Sequence, residues 1–368
     1  MPERRSDLLD FMRGLSIIDM MVVHYSDYLN LAPGIHLGKV IRYSDFAIEG
    51  FTLIAGFVVG QHYLSRFKQD KHAVVKRLLK RVLEIIGVYY LFVATISIPL
   101  ALLVGSRITK SDSFWSFVTK SLLFLNQVEL LHILPTFIPF FLLAIPLLYL
   151  LEKGWDAAVL AIGIGLFAIG NIYPHPFPLG EKAIFPVIIW QIYFVIGILL
   201  GKRYHVGSGK LSEGNATAHI PLAGFFFLAM SFFYFAHHLF PVWGDVMMEY
   251  GLKVRKFPLN YLGFLYHGSI LYFVWSVSAL SWRHIKDTKA CGLFLLFGRN
   301  SLSVFVIHVY FSMALSYLVP NFYLFPQLLI VMNFVTAALV VRYLESAKIR
   351  TTYALERETA FEKGGLSS

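Results

Sequence analysis

The sequence has few charged residues and almost no cysteine. Only 15% of its 368 residues are Asp, Glu, Lys or Arg, whereas a soluble domain has about 25%. Cys291 is the only cysteine, which excludes an intramolecular disulfide and leaves the cellular compartment undetermined. The sequence contains no HExxH motif, cysteine pair, P-loop, dinucleotide-binding glycine pattern or GxSxG elbow. It therefore predicts no standard zinc, nucleotide or serine-hydrolase site.

Hydrophobic residues are abundant and are spread along the whole chain. They make up 57% of the sequence and form runs of about 18–25 residues, the length of a helix that crosses a bilayer. The pattern predicts an all-α, polytopic integral membrane bundle of about ten transmembrane helices. The predicted spans are 7–29, 45–65, 81–105, 133–151, 156–173, 184–201, 218–238, 259–282, 294–317 and 322–344. Residues 111–127 are expected to form an amphipathic helix on the membrane surface.

The positive charges predict the orientation of the bundle. The chain has 32 Lys and Arg against 22 Asp and Glu, a net charge of +10. The excess lies in alternate loops, mainly 66–81, 202–217 and 283–293, and in the tail 345–368. This distribution follows the positive-inside rule and does not indicate a nucleic-acid partner. We therefore expect both termini in the cytoplasm, and the first span to be retained because no cleavage site follows it.

The first span carries several ionisable residues, which is unusual for a membrane helix. The stretch LLDFMRGLSIIDMMVVHYSD occupies residues 8–27. On a helix, Arg13 and His24 point within about 20° of each other, and Asp10 and Asp27 fall on the same side, whereas Asp19 points away. Such a stripe normally faces a bundle interior or an aqueous cavity. The alternatives are a structural Asp10–Arg13 pair near the headgroups, and for His24 a hydrogen-bonded core histidine.

Two other spans begin with polar residues. Asp45 and Glu49 open the second span, where Asp45 is expected to cap the helix. If the first two spans are neighbours, Glu49 would lie beside His24 and favour its action as a general base. The stretch FGRNSLSVFVIH (297–308) similarly places Arg299 before the ninth span's interior and His308 within it. His132 and Gln191 are interpreted as hydrogen-bond partners between helices.

Several of these motifs, in this order, are similar to the OpgC family within the family-three membrane acyltransferases. The shared features are Asp10, Arg13, Gly14 and His24, followed by YSDFAIEGFTLIAGFVVG. They continue in KRLLKRVLEIIGVYYLF (76–92), HILPTFIPFFLLAIPLL (132–148), IIWQIYFVIGILLG (188–201) and FGRNSLSVFVIH. The chain has His132 where this branch is expected to have Asp, and Ala55 where the wider family often has Ser.

The resemblance implies one transmembrane acyltransferase domain over residues 1–368, with a cytoplasmic tail at 345–368. Such an enzyme, located in the bacterial inner membrane, would move an acyl group such as succinyl from cytoplasmic acyl-CoA to a hydroxyl of an extracytoplasmic glycan. His24, Glu49 and Asp27 would be catalytic, with His24 deprotonating the hydroxyl or accepting the acyl group. The donor would contact these residues: Asp10, Arg13, Asp45, Arg77, Arg81, Arg299 and His308. No metal or prosthetic group is predicted, and the oligomeric state is open.

Two other functions fit the residues. A proton-coupled transporter would also use buried ionisable groups such as Asp10, Asp19, His24 and Glu49. Transporters commonly consist of repeated halves, and the sequence shows no such duplication. A non-catalytic membrane protein that presents a lipid-linked sugar is the third possibility.

Overall fold

Helices account for nearly all of the residues that the structure describes. The computed structural model of the protein describes residues 6–25, 37–104, 113–125, 131, 133–173, 186–206, 213–239, 254–318 and 326–364. The first half contains α1 (Asp7–His24), α2 (Leu37–Ser44), α3 (Ala47–Val58), α4 (Leu64–Gln69), α5 (Lys71–Phe92), α6 (Ile98–Val104), α7 (Phe114–Leu122) and α8 (Ile133–Glu152). The second half contains α9 (Asp156–Ile172), α10 (Val187–Val206), α11 (Glu213–Leu239), α12 (Tyr261–Ile285), α13 (Lys289–Arg299), α14 (Ser301–Leu318) and α15 (Pro326–Gly364).

Six helical stretches among the described residues are long and apolar enough to cross a membrane. They are Ile41–Gln69, Lys71–Leu103, Ile133–Glu152, Val187–Tyr204, Tyr261–Ile285 and Gln327–Ala347. The helices α13 and α14, bent by 89° at Asn300, make a seventh if they count as one span. The stretches Asp156–Ile172 and His219–Phe235 are apolar but shorter. The protein is thus a helical membrane protein, and the prediction of about ten spans stays a prediction.

The chain between the second and third predicted spans is not a loop. We expected a basic loop over residues 66–81, but α4 ends at Gln69 and α5 begins at Lys71. Only Asp70 separates the two helices, and its side chain caps α5 by accepting a hydrogen bond from the Ala73 N–H at 2.9 Å. The cause is an apolar stripe within the basic sequence, since Val74, Leu78 and Val82 are buried on one face. The cations of this segment therefore have fixed positions on a helix.

Small residues bring the central helices α3 and α10 into backbone contact. A Cβ added at Gly56 would lie 2.0 Å from the Phe194 carbonyl oxygen, and one at Gly197 would lie 2.1 Å from that of Leu53. Gly60 and Gly201, one turn further on, are equally close to the facing backbone. This is the small-residue packing typical of membrane helices. The described residues contain two π-helical segments, Val59–Tyr63 after α3 and Val93–Ser97 after α5.

The helix α1 lies inside the bundle, against α3, α13 and α14. Its contact with α13 is as close as that between α3 and α10, because a Cβ at Gly14 would lie 1.9 Å from the Phe294 carbonyl oxygen. A Cβ at Gly298 would likewise lie 1.7 Å from the carbonyl oxygen of Asp10. The charged first helix is therefore surrounded by protein, which explains how its polar residues avoid lipid.

Candidate active site

At the start of α1, Asp10 holds two arginines in place. Its side chain is fully buried, and Oδ1 accepts a hydrogen bond from Arg13 Nη1 at 2.9 Å. Arg299, the last residue of α13, has its Nε 3.7 Å from Asp10 Oδ2 and donates from Nη2 to Asp7 at 2.8 Å. The predicted Asp10–Arg13 pair is thus confirmed, and Arg299 joins it. The close contact between Gly14 and Gly298 sets this spacing, since both glycines neighbour an arginine.

The two arginines line a cavity of about 490 Å³. Its walls come from α1, the end of α3, α5, α8 and the bend between α13 and α14. The charged lining residues are Arg13, Arg77, Lys80, Arg81, Glu84 and Arg299. Five cations therefore face one carboxylate, and the rest of the lining is mostly aliphatic and aromatic. The predicted donor-binding residues Arg13, Arg77, Arg81 and Arg299 are brought together here, and Lys80 lies with them.

The cations on the opposite wall come from one face of α5. Lys80 and Arg81 follow Arg77 by three and four residues, and Glu84 follows them by four and three, so the four side chains project on the same side. Arg81 donates to Glu84 at 2.8 Å, and both side chains are more than 40% exposed. A cavity with these cations at one end and apolar walls beyond suits a ligand with a phosphate-rich head and a slender apolar arm.

His24 and His308 form a pair inside the bundle. His24 Nδ1 lies 2.6 Å from His308 Nε2, and the two rings stack with centroids 4.9 Å apart. His308 is fully buried and comes from α14. On its other side, His308 Nδ1 lies 2.8 Å from Nδ2 of Asn333, a buried residue of α15. The structure thus gives His24 a partner that the sequence placed among the donor-binding residues.

Tyr25 and Ser312 complete this polar cluster. The Tyr25 hydroxyl lies 3.0 Å from Ser312 Oγ and accepts a hydrogen bond from Asn333 Nδ2 at 2.8 Å. Asn333 was missed from the sequence because a single amide in an apolar run resembles any helix-to-helix hydrogen-bond partner. The available signal was an amide within an apolar run, but nothing in the sequence linked it to His308.

The cavity leads towards the histidine pair along two helices. Its lining reaches Met20 on α1 and Phe305 on α14. His24 follows Met20 by four residues, about 6 Å along α1, and His308 follows Phe305 by three, about 4.5 Å along α14. Arg13 and His24 are roughly 16 Å apart along the α1 axis. The polar stripe predicted on α1 therefore runs from the basic cavity to the paired histidines.

A second polar cluster surrounds Lys256, which was not predicted. Its Nζ lies 2.7 Å from Asp45 Oδ2 and 3.1 Å from Glu49 Oε2, and it also donates to the Asp45 carbonyl oxygen. His267 donates from Nδ1 to that same carbonyl at 2.9 Å, and this nitrogen is 3.8 Å from Glu49 Oε1. Burial alone would lower the pKa of Lys256, but the adjacent Asp45 and Glu49 carboxylates raise it above its usual value.

The prediction that Glu49 lies beside His24 is wrong. Glu49 pairs with Lys256 instead. The cause lies on α1, where Asp19 and His24 point about 140° apart. Asp19 faces the start of α3 and accepts a hydrogen bond from the Phe46 N–H at 2.8 Å, whereas His24 faces α14. Asp19, which points away from the polar stripe of α1, thus holds the N-terminus of α3. The N-cap position of α3 is Phe46 and not Asp45 as predicted, but Asp45 accepts a hydrogen bond from the first N–H of the helix, that of Ala47, at 3.1 Å.

Of three other polar residues singled out in the sequence, one lies between two helices and two lie outside the described residues. Gln191 donates to the Gly163 carbonyl oxygen at 2.7 Å and so joins α10 to α9, as interpreted from the sequence. Asp27 and His132 lie outside the described residues. Within the part of the chain that the structure describes, no group of three or more His, Cys, Asp or Glu residues is arranged to hold a metal ion.

Apolar helices of membrane length around a charged cavity and a histidine pair define an integral membrane protein with an interior polar site. The sequence profile of the family described as OpgC protein matches residues 4–349, and the chain belongs to this family. The match covers every residue of both polar clusters. Searches of curated proteins and of solved structures gave no match.

Proposed function

We propose that the protein is a membrane O-acyltransferase that moves an acyl group from acyl-CoA to a hydroxyl of a glycan. Membership of the OpgC family suggests a glucan-modifying acyltransferase. The observation that carries the proposal is that the His24–His308 pair follows the basic cavity on the same two helices, four residues beyond Met20 on α1 and three beyond Phe305 on α14. One end suits a polyanionic donor, and the other provides imidazoles for acyl transfer.

The donor would enter the cavity with its phosphates on α5. Arg77, Lys80 and Arg81 stand on one exposed helical face, where charge-assisted hydrogen bonds to phosphate oxygens are strong. The thioester arm would then follow the apolar walls past Met20 and Phe305 towards His24. Arg13, held by Asp10, lies on this route and suits the carboxylate of an acidic acyl group such as succinyl.

The chemistry would take place at His24. The acceptor hydroxyl oxygen would form a bond to the thioester carbonyl carbon, and the carbon–sulfur bond would break. The hydroxyl proton would end on the departing CoA thiolate, which leaves as the thiol. Among the predicted catalytic residues, His24 follows the cavity along α1, four residues beyond its lining residue Met20, whereas Glu49 is bound to Lys256 and would support the fold. Asp27 keeps its predicted role of assisting His24.

The topology belongs to the same proposal. Ten spans with both termini in the cytoplasm of a bacterial inner membrane would place the α5 cations on the side where acyl-CoA is made. His24 would then lie towards the opposite side, where the glycan is. Because the donor and the acceptor would then lie on opposite sides of the membrane, acyl transfer would need a polar route through the bundle.

The experiment measures free CoA released by the purified, lipid-reconstituted protein with acyl-CoA and a glucan. We expect release that depends on the acceptor. We also expect that Arg77→Gln and Arg81→Gln together raise the KM for acyl-CoA about tenfold or more, because two charge-assisted contacts are lost. Lys76→Gln is the matched control, since Lys76 is exposed on the same helix but does not line the cavity.

A proton-coupled transporter is the second candidate, favoured by the buried ionisable cluster of Asp45, Glu49, Lys256 and His267. The test measures proton-driven solute uptake into proteoliposomes. Uptake, together with no acceptor-dependent CoA release from any of several acyl donors, would show that the protein is a transporter and not an acyltransferase.

A further inference from the structure

Asn333 contacts the histidine pair through one end of its amide only. Its Nδ2 lies 2.8 Å from both His308 Nδ1 and the Tyr25 hydroxyl, and 3.4 Å from Ser312 Oγ. Its Oδ1 is buried and has no hydrogen-bond partner among the described residues. The side chain is fully buried on α15, so its orientation is set by the protein and not by solvent.

The alternative amide orientation is the more costly one. If oxygen and nitrogen exchanged places, the buried NH₂ group, which carries two donors, would lie where Oδ1 now has no partner. Buried N–H groups without a partner are rarer and more costly than an under-used carbonyl oxygen. The observed orientation instead uses both N–H donors, one on His308 and one on Tyr25. Asn333 therefore acts as a donor towards His308.

A donor on His308 Nδ1 determines where the protons of both imidazoles lie. Nδ1 must accept, so a neutral His308 carries its proton on Nε2. That Nε2–H faces His24 Nδ1 at 2.6 Å, and His24 Nδ1 must therefore accept in turn. A neutral His24 then carries its own proton on Nε2. One amide on α15 thus sets the tautomer of a residue on α1 through an intervening imidazole.

We propose that Asn333 is a positioning residue that makes His24 a neutral hydrogen-bond donor. Its ligand would be an anionic or carbonyl oxygen. The assignment of this oxygen rests on the proposed function, under which it is the thioester carbonyl oxygen that becomes negative as the acceptor attacks. No proton needs to leave His24 for this interaction. The proposal replaces the general-base and acyl-carrier roles expected from the sequence, since both need the lone pair on His24 Nε2.

A neutral imidazole is suited to this role in a buried site. An N–H fixed by a chain of hydrogen bonds can stabilise a developing oxyanion without reorganising during the reaction. Neutral histidines are known to polarise carbonyl groups in this way. The loss of one such donor typically lowers kcat about 10²–10³-fold.

The tautomers can be measured without any enzyme activity. In protein with ¹⁵N-labelled histidine at about pH 8, NMR distinguishes the protonated from the unprotonated ring nitrogen. Comparison with His24→Gln and His308→Gln assigns the two residues among the 13 histidines of the chain. We expect the proton on Nε2 in both His24 and His308. A proton on Nδ1 in either would overturn the proposal and leave the acyltransferase function standing.

Asn333→Asp is the complementary variant, because a carboxylate can only accept from His308. It should move the proton of His308 to Nδ1 and that of His24 to Nδ1 as well. Asn171→Ala is the control, since Asn171 donates to the Phe167 carbonyl oxygen within its own helix and should leave both tautomers unchanged. If Asn333→Asp does not fold, the wild-type spectrum still decides the question. Unchanged tautomers in a folded Asn333→Asp protein would refute control by Asn333.

A pair of His24 variants tests the donor role in turnover. Glutamine retains an amide N–H near the position of Nε2 but cannot act as a base, whereas alanine retains neither. We expect His24→Gln to keep at least tenfold more acyl transfer than His24→Ala. Equal loss in both variants would show that His24 acts through its lone pair, and would overturn the donor role while wild-type activity still supports the enzyme.

Discussion

Replacement of Lys256 by Met should destabilise the protein strongly. Lys256 is 10% exposed and lies between the Asp45 and Glu49 carboxylates, which are 11% and 0% exposed. Methionine keeps the length and apolar volume of the side chain but removes the ammonium. The two buried carboxylates then lose the cation that compensates their negative charge.

The expected size of the effect follows from burial. Removal of one partner of a buried ion pair costs about 3–5 kcal/mol, because the remaining charge stays desolvated. This is a large share of a typical stability of about 5–15 kcal/mol. By contrast, the pair between Lys202 and Asp156 is half exposed on the carboxylate side, so Lys202→Met should cost about 1 kcal/mol or less.

The assay is reversible unfolding in mixed micelles with increasing SDS, followed by tryptophan fluorescence or circular dichroism. Lys256→Met should unfold at a clearly lower SDS fraction than wild type, and Lys202→Met near the wild-type value. The triple variant Asp45→Asn, Glu49→Gln, Lys256→Met carries no charge in the cluster and should recover most of the loss. A single Lys256→Met variant as stable as wild type would refute the argument, since the carboxylates would then need no cation.

Two further predictions concern packing and pH. Gly56→Ala should lower stability by several kcal/mol, since its Cβ would lie 2.0 Å from the Phe194 carbonyl oxygen, whereas Gly165→Ala meets nothing within 4 Å and should be neutral or stabilising in the same SDS titration. The pKa of Lys256 is raised above its ordinary 10.5, so its contribution is fully present below about pH 10.5 and is lost as the pH rises through the raised value. The difference in stability between wild type and Lys256→Met should therefore persist at about pH 10; its disappearance near neutral pH would contradict this sign.

Hydrophobic run length was sufficient to predict most helices. The predicted span 133–151 corresponds to α8 at Ile133–Glu152, and 156–173 to α9 at Asp156–Ile172. Boundaries failed where charge was taken as a sign of a loop. The segment after Asp70 is basic yet helical, because buried apolar residues recur along it and charged residues are compatible with a helix surface.

The sequence shows which polar residues lie in the helices, but it does not show which of them contact one another. Helical projection of α1 correctly separated Asp19 from Arg13 and His24, because the period of a single helix is fixed by its geometry. It could not determine which other helix faces each side. Glu49 was therefore placed near His24, while the actual partner, His308, lies 284 residues away in sequence. Contacts between helices depend on packing, for which the sequence offered only the small residues.

Lys256 and Asn333 show the same limit. Lys256 lies beside Arg255 and near Lys253, so nothing in the sequence distinguishes its charge from those of its basic neighbours. Asn333 is one amide in a long apolar helix. Each becomes informative only when its neighbours from other helices are known, namely Asp45 and Glu49 for the lysine and His308 for the amide.

The most direct test of the account is acyl transfer to the glycan itself. Purified protein in liposomes is incubated with acyl-CoA and a glucan, and the glucan is then analysed by mass spectrometry for the added acyl group. We expect wild-type protein to acylate the glucan, Lys76→Gln to do so equally well, and His24→Ala to lose at least about 10²-fold in rate while remaining folded. Undiminished acylation by His24→Ala, or none by wild type with any acyl donor, would contradict the account.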